Sequence, residues 1–366
     1  MKKKEILYVL LAIFFIGCSP GEFNPNVNIT IDGNESKEPL TATDDNQSEN
    51  LPVETDGSEP EPVPETNTTC KSLPKTGQNK VHYINDDGDL QKGVTRSYTR
   101  DNQKQIVTDN NMGLMWQDSE NIKKPWVIQE NYASGNYANT NGDTATTYCE
   151  NLKLGGYEGW RLPTSDELYY LVDRGKERAS IDSAFKNATF FGVSYWSSTA
   201  SKNSAKAWSI SFDDGYGRDE NKNSNFFVRC VRGENKITHN FVRDPVKKIV
   251  NDTKTCLMWQ DDTSVISMDL VLWEEAINHC NNLDFAGFDN WRTPNINELN
   301  SIRDTDSDGL IIREAFVNTS TDGYWSSTSQ AIWSSFAWTI YFDNGYTSDD
   351  NKLSHAYRVR CVRSGE

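Results

Sequence analysis

Trp160-Arg161-Leu162-Pro163-Thr164-Ser165-Asp166-Glu167-Leu168 is read again, 131 residues on, as Trp291-Arg292-Thr293-Pro294-Asn295-Ile296-Asn297-Glu298-Leu299. In each copy a proline is followed by a capping residue, Thr164 or Asn295, with Glu three positions later. That is the spacing of a capping box, in which the first side chain accepts from an early helical amide and the Glu reaches back to the cap. Glu167 and Glu298 look like catalytic carboxylates when taken singly. Together they read as the starts of two equivalent helices.

Working outward, the repeat lengthens in both directions. Trp116, Cys149, Tyr195-Trp196-Ser197-Ser198, Trp208, Phe212, Gly215 and Arg229-Cys230-Val231-Arg232 form one series. Trp259, Cys280, Tyr324-Trp325-Ser326-Ser327, Trp338, Phe342, Gly345 and Arg360-Cys361-Val362-Arg363 form the other. The offset between copies falls from 143 at Trp116/Trp259 to 131 at Cys149/Cys280, so the first copy carries a 12-residue insertion containing Trp126. The shared residues are of structural types, and no shared nucleophile, base and metal-ligand set appears.

Each copy opens on β-type segments (Ile106-Val107, Ile249-Val250) and on Leu114 to Asp118 or Leu257 to Asp261. Ala145, Cys149 and Leu152, and their twins Ala276, Cys280 and Leu283, recur at the spacing of one helical face. Trp208, Ile210 and Phe212, like Trp338, Ile340 and Phe342, alternate with other residues as in a half-buried strand. Asp-Asp-Gly-Tyr (213–216) and Asp-Asn-Gly-Tyr (343–346) are turn chemistry. The expectation is an α+β chain of two tandem domains, 71–235 and 236–366. Each should have two helices and a small twisted, mainly antiparallel sheet.

The chain's beginning reads as export machinery. Lys2, Lys3 and Lys4 precede a short apolar run, Ile6 to Ile16, too short to span a bilayer comfortably. It ends in Phe15-Ile16-Gly17-Cys18, which resembles a bacterial lipobox. Residues 1–17 are thus expected to be a signal peptide and Cys18 the lipidated residue, with roughly 0.8 kcal/mol per buried methylene holding it to the membrane. The remainder of 18–70 reads as a disordered acidic linker: residues 19–69 hold twelve acidic side chains against Lys37 alone and little apolar surface to bury. A flexible tether of this length reaches roughly 40 Å. The net charge is −16 in all; with +2 on the signal segment and −11 on the tether, the other 297 residues carry −7. An acidic folded region disfavours nucleic acid as partner, since phosphate neutralisation needs clustered cations.

Of seven cysteines, Cys18 is assigned to lipid and six remain, an even number in an exported chain. Equivalence of the copies pairs Cys149 with Cys230 and Cys280 with Cys361, each 81 residues apart. Each such bond closes a long loop and contributes roughly 4 kcal/mol by the chain-entropy model. Cys70 and Cys256 are left over, either bridged to one another or free. Cys256 stands where the first copy has Gly113.

Leu73-Pro74-Lys75-Thr76-Gly77-Gln78, Asp86 to Gly93, Gly113 to Trp116, Trp160 to Thr164, Tyr195 to Ser198 and Val228 to Arg232 together resemble the Lcl C-terminal domain family, named after a collagen-like adhesin. The resemblance covers about 72–233 and again about 237–363. It implies a C-type-lectin-like fold related to the formylglycine-generating, sulfatase-modifying enzymes, in which a helix-to-last-strand disulfide is typical. No collagen-like Gly-x-y repeat precedes the domains. The glycosaminoglycan binding proposed for the family suits an acidic chain poorly. Leu73 to Gly77 also spells a sortase motif, but internally and without an apolar tail, so it is read as coincidence.

Asp304, Asp306 and Asp308, followed by Gly309 and the carbonyl of Leu310, fit the first half of a calcium loop. Ala315 stands where a bidentate Glu would close it, and the first copy has no equivalent, so a solvated acidic turn is the alternative. Calcium is the one cofactor the sequence suggests. The four histidines do not cluster with cysteine at zinc spacing. Eight of the eleven tryptophans form repeat pairs and read as core. Trp273 lies at helical spacing and also reads as buried. Trp126 in the insertion and Trp333 in the loop 330–335 are left as candidate ligand contacts, because exposed aromatics stack on sugars or anchor interfaces.

The sequence therefore points to an exported lipoprotein, anchored in the bacterial envelope at the outer membrane or cell surface. Its two domains would bind an extracellular glycan, matrix or protein ligand without catalysis. An envelope scaffold is the alternative, and an enzyme of the sulfatase-modifying lineage a more distant one.

Overall fold

The computed structural model describes residues 70–188, 194–234, 237–262, 270–305, 307 and 309–365. The signal segment, Cys18 and the tether to residue 69 lie outside them. In the first repeat α1 (Asp87–Leu90) precedes β1 (Tyr98–Asp101), β2 (Ile106–Asp109), β3 (Met115–Gln117) and β4 (Ile122–Lys124). Then come α2 (Gln129–Ala133), α3 (Ala145–Glu150) and α4 (Ser165–Leu171). They are followed by β5 (Ser194–Ala200), β6 (Lys206–Ser211), β7 (Gly217–Asn221), β8 (Phe226–Val228) and β9 (Val231–Arg232). The second repeat runs β10 (Phe241–Asp244), β11 (Ile249–Asp252), β12 (Leu257–Gln260), α5 (Trp273–Asn281) and α6 (Ile296–Ser301). It ends with β13 (Gly323–Ser329), β14 (Phe336–Tyr341), β15 (Thr347–Asn351) and β16 (Val362–Ser364).

The chain is α+β, but each repeat builds two small sheets rather than one. Their orders are β1-β2-β3-β9 and β4-β8-β5-β6-β7 in the first repeat, and β10-β11-β12-β16 and β13-β14-β15 in the second. All pairs are antiparallel except β5 with β8. Four helices are described within 71–235 and two within 236–366. The sheets divide where the chain passes Arg229-Cys230. The Cys230 amide donates to Gln117 Oε1 and the Gln117 amide to the Cys230 carbonyl, which moves the terminal segment onto the opening sheet.

Both capping boxes form. Thr164 and Glu167 cap α4, and Asn295 and Glu298 cap α6. Arg292 also grips Glu298 through two 2.6 Å bonds, so this Glu is held as a fixed structural anion. The strand expected to be half-buried is not: in β6 Trp208 and Ile210 are buried, and so are Ser209 and Ser211. The reason is that each β5–β6 or β13–β14 sheet has a core on both faces. One core surrounds the disulfide and the first long helix, with Trp160, Trp196 and Ala145 in the first repeat and Trp291, Trp325 and Ala276 in the second. The other is continuous across both repeats and takes in Trp116, Leu168, Ile210, Trp259, Leu299 and Ile340.

Disulfides join Cys149 to Cys230, Cys280 to Cys361 and Cys70 to Cys256. The first two tie α3 and α5, respectively, to the segment that enters the last strand of each repeat.

The two repeats meet through equivalent residues that exchange partners, as a twofold axis would relate them. Tyr216 donates to Asp349 and Tyr346 to Asp219. Two arginines from non-equivalent positions, Arg303 aligning with Val172, take like places: the Arg174 guanidinium lies 3.9 Å from the Trp338 ring, and that of Arg303 lies 4.6 Å from the Trp208 ring. Tyr216 meets Trp338 edge-on, and Tyr346 meets Trp208. Helices α4 and α6 pack together at this seam, which is why they are buried nearly all round rather than along one stripe. The turn glycines close the seam. Gly345 has φ +74, and a Cβ there would come within 2.9 Å of Trp208 and 2.8 Å of Ile311.

The segment 71–94, expected with the first domain, shares its contacts between both. Arg174 donates its amide to the Thr76 carbonyl, while Asn297 and Asn295 donate side-chain amides to Pro74 and Lys92 carbonyls. Gln78 accepts from the Ser329 amide. The fully buried Asp87 accepts from Thr76 (2.5 Å) and from Thr328 (2.8 Å). Burial raises its pKa to about 7, against the lowering effect of those two hydroxyls. Its folded pKa thus lies above the unfolded one of about 3.9. Its contribution is most favourable below about pH 4 and is lost as pH rises towards and through 7. Asp87→Asn is expected to be more stable than wild type at pH 8, by about 4 kcal/mol, with the gain vanishing near pH 4. Calorimetric melting of both proteins across that range checks this; an equal gap at both ends would refute it.

Candidate binding surface

The exposed aromatic surface of the second domain is built by strand register. Phe336 opens β14 opposite Asn351, the last residue of β15. Beyond Asn351 the Lys352 amide donates to the Ser335 carbonyl, drawing the turn 351–354 against the loop 330–335. In that loop Gln330 Oε1 accepts from the amides of Ile332 (2.5 Å) and Trp333 (3.0 Å). The backbone under Trp333 is therefore held while its side chain stays 57% exposed. Its ring sits 6.1 Å from Phe336, and Leu353, 72% exposed, stands on the adjoining turn. Trp333, Phe336 and Leu353 form an apolar tip.

The first domain lacks this tip. Lys206 pairs with Asn221 as Phe336 pairs with Asn351, so Lys206 and Asn223 replace Phe336 and Leu353. Sequence reasoning found Trp333 and missed Leu353. The signal was there: Asn-Lys-Asn-Ser (221–224) becomes Asn-Lys-Leu-Ser (351–354), placing a lone Leu in an otherwise polar turn.

Trp126 does not offer a surface. It is buried, its indole N–H donates to the Ser197 carbonyl at 2.9 Å, and Lys222 Nζ lies 4.2 Å from its ring. Trp273 does the same with Ser326 at 2.8 Å and Lys352 at 3.8 Å. The two are thus a fifth structural pair. The insertion lies after Trp126, not around it: the Ala145 amide reaches back to the Pro125 carbonyl, and α5 runs without interruption where α2 and α3 are separate. The insertion covers the first tryptophan, with Lys222 donating to the Tyr137 carbonyl. Tyr83 of the N-terminal segment covers the second, edge-on at 6.2 Å.

A second feature is an open cleft of about 500 Å³ at the seam, lined by Tyr216, Arg218, Tyr341, Asn344, Tyr346 and Ser348 among others. The two carboxylates beside it differ. Burial opposes ionisation of Asp219, but bonds from Ser201, Tyr346 and Lys206 outweigh it and lower its pKa. Asp349, whose repeat has Phe336 in place of Lys206, is raised by burial, against the Tyr216 hydroxyl.

Of the candidate calcium loop, Asp306 and Asp308 lie outside the described residues. Asp304 pairs with Arg313 at 3.3 Å, and the Leu310 carbonyl accepts from the Ile312 amide. Among the described residues no group of three His, Cys, Asp or Glu is placed to hold a metal. In the sortase-like stretch Leu73 and Thr76 are buried.

A family model described as the Lcl C-terminal domain matches residues 105–232 and, a second time, residues 248–363. Among curated proteins none matches the chain in sequence.

Proposed function

The chain belongs to the Lcl C-terminal domain family, in two tandem copies, and from that premise we propose that it is an exported lipoprotein presenting two C-type-lectin-like domains for adhesin-like, non-catalytic binding. Cys18 is the lipid anchor, residues 19–69 hold the domain pair away from the envelope surface, and the ligand is an extracellular glycan, matrix or protein surface. The observation that carries this reading is the apolar tip. A tryptophan 57% exposed on a hydrogen-bonded loop offers a contact whose backbone ordering cost is already met in the free protein. The four Cys of the two within-repeat disulfides are fully buried, which counts against the oxidase chemistry of the sulfatase-modifying lineage.

Binding of the full chain to immobilised matrix proteins and a glycan array, with calcium and with chelator, tests this. Trp333→Ala is expected to weaken the interaction by roughly 30-fold, as for an interfacial hot spot of about 2 kcal/mol. Full binding by Trp333→Ala would remove the tip from the account. Loss on chelation would bring the 304–310 loop into it. Failure to bind any surface would favour an envelope scaffold, with stable co-purifying partners as its signature.

A further inference from the structure

The seam cleft lies astride the pseudo-twofold relation, yet it is not symmetric. Tyr216 and Tyr346 are equivalent, but Arg218 corresponds to Ser348 in the other copy, and Tyr341 corresponds to Ser211. No single domain possesses this set. The phenol heads are already engaged: Tyr216 with Asp349, Tyr346 with Asp219, and Tyr341 with Tyr357 at 2.6 Å. What remains for a ligand is ring surface, fixed in position, and three polar groups: the Asn344 amide nitrogen, the Ser348 hydroxyl and the exposed Arg218 guanidinium. The nearest ring to that guanidinium is Tyr216, at 5.4 Å.

Fixed aromatic walls with a few directional donors and acceptors suit a molecule with an apolar C–H face and hydroxyls around its edge. Charge narrows the class. Arg218 is the one charged side chain of the lining, but Asp219, Asp349 and Asp350 accept from the lining tyrosines, so an anionic ligand on the rings would face carboxylates behind them. We propose that the cleft is a composite site for a neutral pyranose, taking one or two sugar rings between the two domains. This deepens the binding reading above, and it uses the end of β14 opposite the tip, so the two can fail separately.

The test is titration of the full chain with glucose, galactose, mannose, N-acetylglucosamine and glucuronate, followed by saturation-transfer NMR. Saturable binding of at least one neutral sugar is expected, weakened roughly tenfold or more by Arg218→Ala and by Tyr341→Ala and unmoved by Trp333→Ala. Arg218 is exposed, so its variant reports on the site even if Tyr341→Ala disturbs the fold. The proposal is overturned if no neutral sugar binds, if glucuronate binds better than glucose, or if binding survives Arg218→Ala at full strength.

Discussion

Asp261→Ala is expected to cost about 3–5 kcal/mol of stability, the range for removing one partner of a buried ion pair. Asp261 and Arg360 are both fully buried, with Arg360 Nη1 2.8 Å from Asp261 Oδ1. The other carboxylate oxygen accepts from Arg243 Nε at 2.9 Å. The amides of Val317 and Asn318 also donate to this carboxylate, at 3.2 Å each. One side chain therefore ties β10, the end of β12, the 317–318 segment and the approach to β16. Alanine would leave the guanidinium in the core with the carbonyls of Gln260 and Asn318, the Thr319 hydroxyl and the faces of Phe316 and Tyr324, none of which neutralises it. The same arrangement recurs around Asp118 with Arg229, Arg100 and the amides of Lys186 and Asn187. Urea unfolding of Asp261→Ala and Asp118→Ala should show comparable losses. A loss below about 1 kcal/mol at either site would mean that solvent reaches the arginine.

That hub was in plain view as Leu-Met-Trp-Gln-Asp and Arg-Cys-Val-Arg, each present twice, yet its role was not legible. The repeat marks both ends, but the pairing of Asp261 with Arg360 joins residues 99 apart, and nothing local relates them. The capping boxes were legible because cap and Glu stand three residues apart and the partner is the helix itself. The two within-repeat cysteine pairs were legible because duplication narrowed the alternatives, whereas Cys70 and Cys256, without internal counterparts, stayed open between a bridge and free thiols. Trp126 was misplaced for a specific reason: an offset gives only the net insertion, and the 16 residues added after Trp126 are partly masked by four added before Trp273. Only the shared bonds to Ser197 or Ser326 and the overlying lysine show that it matches Trp273. The seam was out of reach, since Tyr216 and Tyr346 read as turn residues until each is seen to hold the carboxylate of the other domain.

Removing the Cys280–Cys361 bond by the double change to alanine is expected to cost about 4–5 kcal/mol, from the loop-closure entropy of a crosslink spanning 81 residues. Alanine is the informative replacement, because serine would add a buried hydroxyl to the cost. Loop length alone predicts a larger loss for Cys70–Cys256, whose separation is 186. The backbone argues the reverse. Cys256 has φ +56, where its counterpart Gly113 has φ +71 at no steric cost, and a non-glycine residue there carries on the order of 1 kcal/mol or more of strain. Changing Cys70 to Ala and Cys256 to Gly removes a crosslink and that strain together. It frees only the start of the N-terminal segment, whose other anchors at Pro74, Gln78 and Asp87 remain. The 81-residue bond should therefore be the more costly to lose, although its loop is less than half as long. Denaturant midpoints of the two double variants decide between them. If the loss followed loop length, the Cys70–Cys256 bond would be constraining the whole unfolded chain, and the strain at Cys256 would be negligible beside it.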